Sequence, residues 1–233
     1  MNSRRRIPLT GTENTRDLGG YPLDASHMTN YGVFLRSGVP TGLSREDVEL
    51  MRSMGISTII DLRSDPELER TPCYFAGLEG FDYHHLNIEG AEGFMNGEDY
   101  IGDTYLAMTK SKSMPLIFKI LADMKGGCLF HCTAGKDRTG IVAAILELLA
   151  GMDESDIIAD YSITFPYLFR LIQSLSADYP DLPAYVGRSN PEYMMRFLEL
   201  FKNEYGSAEN YLKGLGLTDM EIGNIKDRLI TAI

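Results

Sequence analysis

The segment His131-Cys132-Thr133-Ala134-Gly135-Lys136-Asp137-Arg138-Thr139-Gly140 holds residue types at a spacing that could do chemistry. Cys132 begins it and Arg138 follows six residues later. The thiolate is the reactive form of cysteine, and an array of N–H donors beside a guanidinium favours it. The planar fork of Arg138 suits two oxygens of a phosphate, which a lysine would hold only as a point charge. The backbone of Thr133, Ala134 and Gly135 can supply N–H donors converging on one anion. Gly135 lets the chain turn sharply and approach a ligand closely. Thr139 is expected to donate its hydroxyl to the sulfur, and His131 to orient the loop from behind. By average composition, H-C-x-x-G-x-x-R-[ST]-G arises by chance in such a chain on the order of once in a million.

A nucleophile, a cradle and a clamp need a rigid support. Cys128-Leu129-Phe130-His131 reads as a short apolar strand, and Thr139 to Ala150 as a strongly apolar, buried helix. A strand, a tight loop and a helix N-terminus together form an anion site, to which the helix dipole adds positive potential. Upstream, Val33 to Leu35 reads as a strand. Ser44 with Asp47 marks a helix start, and Gly55 its end. Ile56 to Leu62 is a β-branched run that reads as a buried strand. Ser64, Pro66 and Glu67 open a second helix. Tyr83 to Ile88 is another candidate strand, and Met114 to Met124 another helix. The alternation predicts an α/β fold, with a mostly parallel central sheet flanked by helices.

Past Met152 the pattern is helical, over 153–162, 165–174, 191–205 and 218–230, with the stretch Asp178 to Asn190 as a loop. We expect one domain over 1–233, its helical C-terminal part about 153–233. Gly90 to Asp103, with Phe94, Met95 and Tyr100, is a polar, Gly-rich excursion that reads equally as a mobile flap or a surface loop.

With 22 Lys+Arg against 33 Asp+Glu the net charge is −11. That argues against non-specific binding of nucleic acid, so an anionic ligand must be held by a local device. The longest apolar stretch, Ile141 to Ala150, is too short for a membrane span. Met1 to Arg6 is basic with no apolar region after it, so it does not read as a signal peptide. A cytoplasmic protein is expected as the sequence stands, or an exported one if a leader has been removed. Cys73, Cys128 and Cys132 make neither a disulfide framework nor a zinc knuckle; Cys128 reads as a core residue.

The C-x5-R loop resembles the signature of the cysteine-dependent protein tyrosine phosphatases. Its Ala-Gly-Lys-Asp-Arg-Thr-Gly interior is similar to the atypical bacterial tyrosine/lipid phosphatases of the PtpB type. So are Asn14-Thr15-Arg16-Asp17-Leu18-Gly19-Gly20, Phe34-Leu35-Arg36-Ser37-Gly38, Asp61-Leu62-Arg63-Ser64, Ala159-Asp160-Tyr161 and Tyr211-Leu212 through Leu217. The resemblance implies a protein tyrosine phosphatase-like fold. It also implies a two-step reaction in which Cys132 attacks phosphorus and water hydrolyses the phosphocysteine. No metal or cofactor is implied, since Arg138 and the loop amides carry the electrostatic load. The implied partners are phosphorylated proteins or phosphoinositides.

The family's Trp-Pro-Asp acid loop has no counterpart here. Leu86 to Gly90 offers Glu89, with Glu92 further on, and the resemblance adds Asp137. Asp137 is either the general acid or a carboxylate bracing the loop. Lys136 is either a second cation in the mouth of the site, which the resemblance links to phosphoinositides, or a solvated charge offsetting Asp137. Asp17, Arg36, Asp61 and Arg63 are expected to be ion-pair braces around the loop. Two other classes of function compete with this reading: a rhodanese-like sulfurtransferase, against which Arg138-Thr139 and Lys136-Asp137 argue, and a catalytically idle phosphate-binding module.

Overall fold

The computed structural model describes residues 5–90, 94, 96–178 and 183–233. Its strands are β1 (Arg16–Asp17), β2 (His27–Thr29), β3 (Phe34–Ser37), β4 (Ile56–Asp61), β5 (Asp82–His85), β6 (Gly127–His131) and β7 (Ile230–Ala232). In the first two thirds the helices are α1 (Arg45–Ser53), α2 (Asp65–Arg70), α3 (Ile101–Met108), α4 (Met114–Asp123) and α5 (Asp137–Ala150). The last third carries α6 (Glu154–Ser162), α7 (Thr164–Asp178), α8 (Pro191–Tyr205), α9 (Ala208–Gly214) and α10 (Asp219–Leu229).

The main sheet has the order β1-β3-β6-β4-β5. β3, β6, β4 and β5 run parallel, and only β1 is antiparallel. Side chains alternate across it, because successive residues of a strand point to opposite faces. Leu129, Ile59 and Leu35 meet Val48 and Met51 of α1 on one face. Cys128, Phe130 and Ile60 face the larger core built by α3, α4, α5 and the helices of the last third. The fold is therefore α/β with a central, mostly parallel sheet flanked by helices, as expected. One face carries a single long helix and the other nearly all the rest.

β6 lies at the centre of the sheet, and in register both Ser37 of β3 and Asp61 of β4 oppose His131. The loop that follows thus leaves the carboxyl ends of the parallel strands, where open α/β sheets bind ligands. α5 is buried nearly all round, as its apolar sequence requires, and stops at Gly151 in the left-handed conformation.

Two features depart from the sequence reading. The excursion at 90–103 ends in α3, so the helix begins before Asp103. Met95 and Glu92 lie outside the described residues. The last helix ends at Leu229, and Ile230–Ala232 pair with β2 in a two-stranded ribbon. Among the described residues no helix is long and apolar enough to cross a membrane.

Candidate active site

Cys132 is the first residue beyond β6 and is buried. The N–H groups of Thr133 through Arg138 donate to no acceptor among the described residues. The carbonyls of Thr133 through Lys136 accept from donors outside the loop. Val39 N–H donates to Thr133 O at 3.1 Å. Asn14 Nδ2 donates to Ala134 O at 3.1 Å and to Gly135 O at 2.9 Å. Arg36 Nη2 donates to Gly135 O at 3.0 Å and to Lys136 O at 3.3 Å. A loop with bonded carbonyls and free amides at the start of a helix is built to receive an anion.

Gly135 has φ +68°, and a Cβ there would lie 2.4 Å from the backbone of Ser37. Its lack of a side chain serves the packing of the loop on the end of β3. Its left-handed φ is the sharp turn that the sequence predicts there.

Arg138 closes the loop with both terminal nitrogens on Glu67. Nη1 is 2.7 Å from Oε2 and Nη2 is 2.7 Å from Oε1. Thr133 donates its hydroxyl to the same carboxylate. Glu67 is itself steadied at the start of α2, where the Ser64 N–H and hydroxyl donate to Oε2 at 2.9 and 2.8 Å. Burial pushes the Glu67 carboxyl up, but Arg138, Thr133 and Ser64 hold it well below the usual carboxylate range. The Nε edge of Arg138 makes no hydrogen bond among the described residues, which leaves a second side of the guanidinium for an oxyanion.

Asp137 stands partly exposed at the first turn of α5. Its Oδ1 accepts from the Tyr105 hydroxyl at 2.6 Å, and Tyr105 lies 2.6 Å from the Tyr161 hydroxyl. Both tyrosines are fully buried, and burial pushes both phenols well up, so they stay protonated donors. The second oxygen of Asp137 has no partner among the described residues. Glu89 is exposed, and among the described residues it engages only through its N–H, which donates to Ser111 Oγ at 3.3 Å.

Lys136 stands neither free in the mouth nor solvated, though it does lie beside Asp137. It is buried, with Nζ donating to Val186 O at 2.5 Å and to Arg188 O at 2.9 Å. Asp137 Oδ1 lies 3.4 Å from it. The ammonium pins the loop to the turn at Ala184–Gly187, because burying it required those carbonyls as partners.

Thr139 also departs. Its hydroxyl is buried with no hydrogen-bond partner, so it does not reach the sulfur. Asp17 is not an ion-pair brace: it accepts from the backbone of Gly19 at 2.9 Å and of Gly32 at 2.7 Å. With no cation beside it among the described residues, burial pushes its carboxyl up to about 6.

His131, Asp61 and Arg63 form a buried cluster behind the loop. His131 Nδ1 lies 3.3 Å from Cys132 O, and Nε2 lies 3.4 Å from Cys73 Sγ and 3.5 Å from Asp61 Oδ2. Burial pushes His131 down to about 4, so the ring is neutral near pH 7. Asp61, Cys73 and His131 lie close enough together to ligate a metal. However, Arg63 takes both oxygens of Asp61 at 2.9 and 2.7 Å, and burial pushes the Cys73 thiol up to about 11. The donor set suits a hydrogen-bonded brace better than a cation.

Arg36 reaches the loop from a second buried centre. Its Nη1 lies 2.7 Å from Asp160 Oδ2, and Arg16 Nε lies 2.9 Å from Oδ1 of the same carboxylate. Sequence reasoning gave no role to Asn14, Arg16, Glu67, Tyr105 or Asp160. Most of them stand in segments that it singled out: Asn14, Arg16 and Asp160 in motifs, and Glu67 as a helix-start residue.

A family model described as "Tyrosine phosphatase family" matches residues 7–231. A tyrosine-protein phosphatase from Nostoc commune is 30% identical over 218 residues, covering 84% of this chain and 74% of its own. The triple specificity protein phosphatase PtpB from Mycobacterium tuberculosis is 23% identical over 275 residues, covering 95% of this chain and 98% of its own. A crystal structure of P. aeruginosa TpbA is similar at 12% identity, with a TM-score of 0.38 over 82% of this chain and 91% of that one. The match over almost the whole chain, together with the Cys132–Arg138 loop, is decisive: this chain belongs to the tyrosine phosphatase family.

Proposed function

We propose that the protein is a cysteine-dependent phosphomonoester phosphatase acting on phosphotyrosine-type substrates. The observation that carries this reading is the run of unpaired amides from Thr133 to Arg138 directly after Cys132. The amides and Arg138 hold the phosphoryl oxygens, whose charge spreads in the transition state. Cys132 Sγ attacks phosphorus, so the S–P bond forms as the P–O ester bond breaks. The leaving oxygen takes a proton from the free oxygen of Asp137. Water then attacks phosphorus and gives one of its own protons to the Asp137 carboxylate as the S–P bond breaks, and phosphate and thiolate are released.

Lys136 bears on the substrate. Its ammonium is engaged by two backbone carbonyls, so a second anionic group on a phosphoinositide would have to displace them. The reading therefore favours a phenolic monoester over a polyphosphorylated head group. Hydrolysis of nitrophenyl phosphate tests it. We expect turnover that vanadate blocks, EDTA spares and Cys132→Ser abolishes. Thiosulfate:cyanide turnover without phosphate release would instead support a sulfurtransferase.

A further inference from the structure

Asn14 is the one residue other than glycine among the described residues whose φ, at 63°, is in the left-handed region. Asparagine tolerates that region better than most residues, and glycine better still. Glycine would therefore satisfy the backbone alone, and the side chain must be wanted for something else. Asn14 is buried, and its Oδ1 accepts from Arg16 Nη1. The oxygen must face that guanidinium, because a guanidinium only donates. The amide nitrogen is then fixed on the carbonyls of Ala134 and Gly135, at 3.1 and 2.9 Å.

In a trans peptide the C=O of one residue and the N–H of the next point opposite ways. Drawing the carbonyls of Ala134 and Gly135 outward turns the N–H groups of Gly135 and Lys136 inward. Arg36 does the same from the other side, through Gly135 O and Lys136 O, and so turns the N–H of Asp137. Both holders are themselves held. Arg16 and Arg36 share Asp160, and Arg16 Nη2 also donates to Thr164 Oγ1 at 3.0 Å.

We propose that Asn14 is a positioning residue of the phosphatase reaction: its carboxamide, through the carbonyls of Ala134 and Gly135, aims the amides that follow them at the transferring phosphoryl group. This rests on the phosphatase reading of the loop. The residue touches no reacting atom, and its effect is carried by peptide orientation.

The test uses Asn14→Gly, which keeps the backbone freedom and removes the amide, and Asn14→Asp, which keeps the shape and sets an oxygen against two carbonyls. Circular dichroism and thermal melting establish that each is folded. The readouts are kcat and KM for nitrophenyl phosphate, and calorimetric affinity for tungstate, an oxyanion that needs no turnover. In Asn14→Gly we expect kcat to fall about 10- to 100-fold. KM should stay within about threefold, and tungstate affinity should weaken by a factor comparable to the loss in kcat. Asn14→Asp should fall at least as far. A folded Asn14→Gly or Asn14→Asp with wild-type kcat and tungstate affinity would overturn the proposal. If the wild type turned over no phosphate ester, the phosphatase reading would fail while the tungstate comparison still decided the role of Asn14. A wild type that bound no tungstate would overturn both.

Discussion

Arg138 meets Glu67 fork on fork, with Nη1 and Nη2 each 2.7 Å from one carboxylate oxygen. Paired, parallel hydrogen bonds of this kind fix the plane of a guanidinium. They use its terminal edge and leave the Nε edge without a hydrogen bond among the described residues. In the proposed reaction Glu67 orients the clamp. Glu67→Ala should lower kcat/KM about 10- to 100-fold, the worth of charged hydrogen bonds. It should also cost roughly 1 kcal/mol of stability through the start of α2. Steady-state kinetics and denaturant melts measure both. A rise in kcat/KM would instead make Glu67 a competitor for the site.

Asp137 should reveal itself through the leaving group. Asp137→Asn is expected to slow esters with poor leaving groups by about 10²–10⁴ and nitrophenyl phosphate far less. Glu89→Gln should show no such dependence. Equal losses across a leaving-group series in Asp137→Asn would mark a bracing carboxylate, and a leaving-group dependence in Glu89→Gln would move the acid there.

Lys136 is placed as a brace, which changes what its removal should do. Lys136→Ala should destabilise the protein by ~1–3 kcal/mol, since it strands the Val186 and Arg188 carbonyls. It should lower phosphate release from a phosphotyrosine peptide and from phosphoinositide vesicles by similar factors. A loss confined to the phosphoinositide would return Lys136 to the substrate.

The buried ring of His131 gives stability a pH dependence. Its pKa, about 4 when folded, lies below the ordinary value of about 6.5, so the unfolded chain takes the proton first. This contribution is full above about pH 6.5 and is lost as pH falls toward 4, amounting to about 3 kcal/mol. Urea unfolding of wild type and His131→Gln at several pH values isolates it. The advantage of the wild type should shrink across that window, and a constant gap would show that charging His131 is not penalised.

What could be read from the sequence follows from how local each signal is. The signature loop is contiguous, and its strand and helix are adjoining apolar runs. Ile56–Asp61 is β-branched, and the Ser44/Asp47 capping box lies within one turn. β1 and β7, at two and three residues, are too short to show a period, and β7 exists only because β2 pairs with it from the far end of the chain. α3 starts at Ile101, the side chain of the preceding Tyr100 does not cap it, and so it carries no start signal. At the site, Glu67 sits 71 positions from Arg138, Asn14 121 from Gly135, and Asp160 124 from Arg36. No spacing rule joins such pairs. Lys136 and Thr139 are read from what exposed side chains could do for a ligand, for Asp137 or for the sulfur, whereas burial beside Val186 and inside α5 decides where they go.

The central claim is a phosphoryl group carried on Cys132. Rapid acid quench of the wild type during turnover of a phosphotyrosine peptide, followed by peptide mass spectrometry, measures it directly. We predict a phosphoryl adduct on the peptide that contains Cys132, absent from Cys132→Ser, which should be inactive. Steady turnover with no adduct on that peptide, matched by equal turnover in Cys132→Ser, would contradict the account.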